Sequence, residues 1–492
     1  MIRSSLWPAP RRRLCFTFSS LLFGVSVVVS GQAAAVAEPP LRAGFAQEEI
    51  TPEIGDRPVW MAGFGHNRRA TGVHDPLWAR AVVLDAGGRR IALVSVDLVG
   101  LFRESVERIR AKLDGFDYVL VSSTHVHEGP DTMGLWGPNA ATSGVDREYL
   151  ARVETQAAAA VRAAAAKLEL ADAAFGAARD ESLVADGREP LVKDDELRVL
   201  VFRKPPNASL GSSPDRSPAG MLVQWNCHPE TLGSKNTLIS SDFPHFTRQY
   251  LEKRFVCPVA FFSGDIGGMM TSLGLEVHDA AGEKLLENSF EKTERLGELI
   301  GQLAERAAAD AKPIQLTPFT IRSRRLYLPQ DNLGYTALFT LGVVDRKSFR
   351  WDATPDTATP HAGRVPTGRM AIETEIGVLR LGELTAVAVP GELYPELAVG
   401  PIQNPQDSAA DFPDAVKEPT IFESIGAGKK KLIFGLANDE IGYIIPKSQW
   451  DVQPPFCYGR KKAQYGESNS LGPETAPILL QAIQMLLEEL PN

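Results

Sequence analysis

The segment Tyr118-Val-Leu-Val-Ser-Ser-Thr-His125-Val-His127-Glu-Gly-Pro130 places two histidines, two residues apart, at the end of an apolar, β-branched run. In an α/β protein the carboxyl end of a buried strand is where side chains leave the sheet and face a crevice, so reacting groups collect there. If extended geometry continues through His127, successive residues alternate between faces and both imidazoles project to the same side. Two imidazoles on one side suit a metal ion. A His-x-His pair alone also reads as two hydrogen-bonded polar residues at a strand end. Three further segments repeat the form, an apolar run closing on a potential ligand. Met221-Leu-Val-Gln-Trp-Asn-Cys-His228-Pro229 delivers a histidine, Leu384-Thr-Ala-Val-Ala-Val-Pro390-Gly391-Glu392 a carboxylate, and the run from Leu432 to Gly442-Tyr443 a phenol. Each is ordinary by itself. Four strand ends converging on one crevice would make a site.

The elements that must position these residues alternate through the first half of the chain. Ala81–Ala86 and Ile91–Val96 flank Gly87-Gly88 as a hairpin, Glu104–Leu113 is amphipathic, and Arg147–Leu168 is an Ala-rich helix. Strands follow at Leu197–Phe202, Met221–Trp225 and Pro258–Phe262, and a second long helix is predicted over Glu283–Ala309. After Pro313 the pattern changes to strands and long loops, with a hairpin over Ile372–Val389 turning near Gly382-Glu383 and a closing helix over Pro473–Leu490. The stretches 204–220, 348–364 and 401–419 are rich in Pro, Gly, Asp and Ser and read as surface loops. Continuously apolar strands separated by helices predict an α/β fold with mixed, partly parallel sheets, flanking helices and long surface loops.

The chain opens with Arg11-Arg12-Arg13, an apolar run from Leu14 to Val29 and Ala35-Val36-Ala37, the pattern of a secretory signal peptide over residues 1–37. Export to the periplasm or the medium is the expectation, by the general or the twin-arginine route. Residues 38–492 would then form the functional domain. Cys227, Cys257 and Cys457 remain, an odd number that forbids complete pairing, and no Cys-x-x-Cys pair offers thiolate ligation. The net charge of −9 argues against a nucleic-acid partner. No obligate protein partner is evident.

Beyond the four strand ends, a series of short motifs runs in order along the chain. They are Gly44-Phe-Ala-Gln-Glu-Glu-Ile-Thr-Pro52, Gly72-Val-His-Asp-Pro-Leu-Trp-Ala-Arg80, Ser95-Val-Asp97, Thr124-His-Val-His-Glu-Gly-Pro130, Cys227-His-Pro229, Ser240-Ser-Asp-Phe243, Gly264-Asp-Ile266, Pro390-Gly-Glu392 and Gly442-Tyr443. Together they resemble the catalytic domain of the neutral/alkaline non-lysosomal ceramidases, which are zinc amidases. The resemblance covers almost the whole chain after the leader. It implies a Zn2+ cofactor held by His125, His228, Glu392 and Tyr443, with His127 as general base and Arg188 and Tyr465 as polar groups beside the reacting amide. Asp97 and Asp242 are candidates to orient a metal-bound histidine, Asp242 equally a helix cap. His74 and Asp75 suit either a supporting or a purely structural place, and His66, His245, His278 and His361 read as surface or loop residues.

The implied substrate is a small-molecule or lipid amide, a ceramide-like N-acylated amine first, with contact to a membrane surface as a corollary. A zinc esterase or deacylase for a smaller substrate is the alternative among enzymes. A non-catalytic periplasmic binding protein is the alternative outside them, against which the retained His127 and Arg188 speak. Two departures stand out. Gly264-Asp-Ile-Gly267 lacks the serine that commonly ends this motif in the family, and the chain ends at Asn492 without the family's further β-sandwich domain. Both predict weaker use of membrane-embedded lipid.

Overall fold

The computed structural model describes residues 39–205, 218–405 and 409–491. The leader over residues 1–37 and most of the loop read between 204 and 220 lie outside the described residues.

Three larger sheets carry the mixed α/β architecture. In the first, Leu41–Glu49 pairs antiparallel with Trp78–Ala86, which turns at Gly87-Gly88 into Arg89–Val96. The chain then crosses over through the helix Arg103–Arg110 and returns as Tyr118–Ser123, parallel to Arg89–Val96. The second sheet repeats the device. Pro218–Trp225 runs through the helix Phe243–Phe255 into Val259–Ser263, its parallel neighbour, while Glu196–Arg203, Asp172–Arg179 and Lys312–Ile314 extend the sheet by antiparallel pairing. The third does so again, from Leu384–Ala388 through short helices to the parallel strand Lys430–Phe434. There Met370–Leu381 pairs along its whole length with Phe319–Gln330. The helices Arg147–Ala166, Phe290–Ala309 and Thr475–Glu488 cover the sheets.

Each sheet therefore presents one parallel edge strand, and these three edges are stitched together. Asn438 N donates to Val121 O at 2.7 Å, Gly435 N to Ser263 O at 3.0 Å, and Ser263 Oγ to Thr124 O at 2.8 Å. A shared apolar core lies beneath, with Leu120, Phe262 and Phe434 from the three edges all buried and the rings of Phe262 and Phe434 edge-on at 5.0 Å. Burial of each such side chain stabilises by roughly 1.5–3 kcal/mol. The carboxyl ends of the three parallel strands are thereby brought to one place, from one mode of connection used three times.

Several boundaries differ from the sequence expectation. The helix predicted from Glu283 begins at Phe290, because Asp279 accepts from the backbone of Ala281 and Glu283 to form a turn and Ser289 caps the helix through Lys292 N. The stretch 348–364 holds a small hairpin, Phe349–Trp351 with Ala358–Pro360. The helix Leu333–Leu341 was not anticipated; Asn332 caps it and Gly342, at φ 72°, ends it. Among the described residues no helix is long and apolar enough to cross a membrane.

Candidate active site

His125 lies two residues beyond its strand. Thr124 N and His125 N donate to Val96 O and Leu98 O, both at 2.9 Å, and His125 adopts φ 68°. A residue with a β-carbon in that region costs on the order of 1–3 kcal/mol and persists only where its surroundings enforce it. The expected extended alternation thus stops at Ser123. The rings of His125 and His127 still face one site, 5.0 Å apart, because the chain turns between them. His127 N is tied to Pro229 O at 3.1 Å and His228 N to Met270 O at 2.7 Å. Glu392 and Tyr443 lie past the ends of the long strands, opposite each other in a two-residue parallel pair, Glu392–Leu393 with Tyr443–Ile444.

Glu392 Oε2 stands 2.8 Å from His228 Nε2 and 3.5 Å from His125 Nε2, and the Tyr443 hydroxyl is 3.4 Å from His228 Nε2. The far nitrogens are committed elsewhere: His125 Nδ1 lies 2.6 Å from Val99 O and His228 Nδ1 2.9 Å from Met270 O. A carbonyl only accepts, so each Nδ1 carries the hydrogen and each Nε2 of a neutral ring presents a lone pair. Two lone pairs and a carboxylate oxygen facing one another repel unless a proton or a cation lies between them. Such backbone-anchored imidazoles are the usual support of a metal ligand. Neutral imidazole and carboxylate are ordinary donors for zinc, so the residues fit that ion.

Electrostatics divide the donors: His125 and His127 are kept neutral, and a proton is held between His228 and Glu392 where a cation would otherwise lie. Burial pushes the His125 pKa down to about 4, and burial with the neighbouring histidines holds His127 well below its ordinary value. Burial opposes protonation of His228 too, but the hydrogen bond to Glu392 and the charges of Glu392 and Glu230 together outweigh it and raise its pKa. Burial alone would raise Glu392; the charges of His125 and His228 hold it below the usual range. The Tyr443 phenol, raised by burial and by Glu392, stays protonated.

The structure thus gathers all four expected ligands, and His127 with them. Ring nitrogens of His125, His127 and His228 lie within 4.8 Å of one another, so a three-histidine set is also geometrically available. His127 differs from the other two in one respect. Its buried Nδ1 meets no carbonyl and instead lies 3.3 Å from Glu230 Oε2, short of hydrogen-bond alignment.

A pocket of about 850 Å³, open solvent at its mouth included, runs from His125, His127, Glu392 and Tyr443 along a wall of Phe102, Met133, Leu135, Trp136, Phe339 and Leu471. Tyr465 lines it, half-exposed, its ring 5.7 Å from that of Tyr443. Arg188 does not line it. Its guanidinium is buried behind Tyr465, paired with Glu467 at 2.8 Å and donating to Gln449 O at 3.0 Å and Tyr465 O at 3.3 Å.

The expected carboxylates serve elsewhere. Asp97 binds Arg248 through both oxygens at 2.8 Å, and Asp242 caps the helix that follows it. Asp75 accepts from Ser241 N at 2.8 Å, a structural place, and His245 sits on a helix, partly buried, not in a surface loop. Backbone carbonyls orient His125 and His228 instead. Cys227 and Cys257 are buried and free, and Cys457 is buried as well. Glu230 and the apolar wall went unread in the sequence, although Glu230 follows His228-Pro229 directly.

No protein-family model matches the chain, and no curated protein matches it. Solved structures do. The neutral ceramidase of Pseudomonas aeruginosa superposes with a TM-score of 0.67 at 18% identity, over 92% of this chain and 75% of that one. A ceramidase complexed with C2 superposes with a TM-score of 0.66 at 17% identity, over 92% of this chain and 76% of that one. The chain has the neutral ceramidase fold.

Proposed function

We propose that this protein is an exported zinc-dependent amidohydrolase that cleaves the amide bond of an N-acylated amine, with ceramide-like lipids as first candidates. The observation that carries the reading is the pair of anchored Nε2 lone pairs on Glu392 Oε2 at the end of an apolar pocket. The fold shared with neutral ceramidases supports the substrate class, and the leader pattern of residues 1–37 supports export.

His125, His228 and Glu392 would hold the ion, with Tyr443 beside them. When bound, zinc supplies Lewis acidity, which lowers the pKa of water and polarises a carbonyl. His127 Nε2 takes the proton of the attacking water and returns it to the amine nitrogen as the C–N bond breaks, leaving a carboxylic acid and a free amine. Tyr465, which lines the pocket beside Tyr443, would donate its hydroxyl hydrogen to the carbonyl oxygen as charge develops there. Arg188 acts through Tyr465, bracing its segment with Glu467. The apolar wall takes the acyl chain, at ~0.8 kcal/mol per buried CH2, and keeps bulk water from the reacting bond.

The test is hydrolysis of N-acylsphingosines of several chain lengths, short N-acyl amides and matched esters by the protein without residues 1–37, before and after chelation. Amide hydrolysis lost on chelation and restored by zinc is the expected outcome. Ester hydrolysis alone would overturn the amidase reading, chelator-resistant activity the metal, and zinc binding with no turnover the enzyme.

A further inference from the structure

The ring of His127 is held more tightly than its own backbone requires. A β-carbon at Gly63, which sits at φ 91°, would come within 2.3 Å of His127 Cγ, so glycine there lets the chain pass directly against the imidazole. Phe64 packs edge-on at 5.0 Å, and Arg68 donates to the backbone oxygen of His127. The remaining side is occupied by Glu230, whose Oε2 lies 3.3 Å from His127 Nδ1. Glu230 is itself fixed: Thr271 Oγ1 donates to Oε1, and Glu230 N donates to Ser272 Oγ at 3.4 Å. Thr271 belongs to the two-residue strand Met270–Thr271, whose Met270 O receives His228 Nδ1. One short strand thus places both the carbonyl behind His228 and the carboxylate behind His127.

The two nitrogens of a neutral imidazole are not equivalent; the partner of one decides which carries the hydrogen and which presents the lone pair. Carbonyls perform that selection for His125 and His228, and no carbonyl does so for His127. Its Nδ1 is buried and within reach of a carboxylate, and catalytic hydrogen bonds of this kind are often long before substrate binds and tighten afterwards. A nucleophile or base oriented by a third, carboxylate-bearing group is a recurring catalytic arrangement.

We propose that Glu230 is the positioning residue of the proposed base: it accepts a hydrogen bond from His127 Nδ1–H and so presents Nε2, unprotonated, to the reacting water. The inference rests on the amidohydrolase reading. Glu230 touches neither substrate nor, in this role, the metal.

The experiment compares Glu230→Ala and Glu230→Gln with the parent, all zinc-loaded and at one pH. Loss of an orienting group of this kind typically costs ~10–100-fold. Glu230→Ala should lose that in kcat with KM little changed and zinc content intact. Glu230→Gln, whose amide oxygen still accepts from Nδ1–H, should recover most of the loss. Long-range proton–nitrogen spectra of histidine-labelled protein, with His127 identified by its disappearance in His127→Ala, should show the hydrogen on Nδ1 in the parent and in Glu230→Gln but not in Glu230→Ala. An unchanged tautomer in Glu230→Ala overturns the proposal, as does full kcat in that variant or loss of its zinc. The spectra decide the matter even if the parent hydrolyses no amide, so failure of the functional reading stays distinct from failure of this one.

Discussion

At the scale of single residues, His125 and His127 sit two apart with rings 5.0 Å apart, yet their far nitrogens differ in kind. His125 Nδ1 is anchored on Val99 O at 2.6 Å, as a ligand needs, and His127 Nδ1 faces a carboxylate at 3.3 Å. The two alanine substitutions should therefore damage different things. His125→Ala removes a donor and should lower zinc content itself. His127→Ala should leave zinc in place and slow the chemical step by ~10²–10⁴-fold, the usual range for a lost general base. Metal analysis and single-turnover rates on the purified variants separate them. Zinc lost from His127→Ala would instead place that residue in the three-histidine set that the 4.8 Å spacing allows.

At the scale of elements, the two-residue pair bearing Glu392 and Tyr443 rests on Gly267. Gly267 N donates to Leu393 O at 2.8 Å, and a β-carbon there would stand 2.5 Å from Glu392 O. The missing serine in Gly264-Asp-Ile-Gly267 thus has a steric reason: the strand that delivers the carboxylate occupies its space. Gly267→Ser should push that strand away and weaken zinc binding by ~10–100-fold, the cost typical of disturbing the groups around a ligand, with the far-ultraviolet circular dichroism spectrum unchanged. Competition against a chelating dye measures it, and parental affinity would show that the backbone gives way without moving Glu392. The same pair marks what the sequence discloses. Long apolar strands and the turn at Gly382-Glu383 were legible because burial on both faces leaves a continuous apolar run, and the four candidate positions His125, His228, Glu392 and Tyr443 because each closes such a run. Outside the two hairpins the antiparallel or parallel partner of each strand was not legible, since periodicity carries no record of the neighbour. The helix Leu333–Leu341, which supplies Phe339 to the pocket wall, was hidden by apolar residues on nearly every side, with only Asn332 and Gly342 to announce it. The wall itself joins segments as distant in sequence as Phe102 and Leu471, a proximity only the three stitched sheets create.

At the scale of the whole molecule, carboxylates outnumber basic groups, with a net charge of −9, and several lie deep in the fold. Burial raises the Glu128 pKa to about 8 although Arg68 opposes it, and raises Asp242 to about 7; the charge of Asp242 makes ionisation of Glu128 harder, and that of Asp75 makes ionisation of Asp242 harder. An acid whose folded pKa lies above its unfolded value, about 4.3 for glutamate, binds more protons when folded. Its contribution to stability is therefore present at low pH and is lost as pH rises from the unfolded value towards the folded one. For Glu128 that window runs from roughly pH 4.3 to about 8. Glu128→Gln keeps the size and the accepting oxygen but never ionises, so it should lose less stability than the parent over this range. Melting temperatures of the zinc-loaded pair at pH 5 and pH 8 should show a steeper fall in the parent, with the variant gaining relative to it at the higher pH. Parallel slopes would mean that the Glu128 carboxylate and its partner Arg68, 3.2 Å away, are ionised together throughout, and that the burden of buried charge rests on other groups.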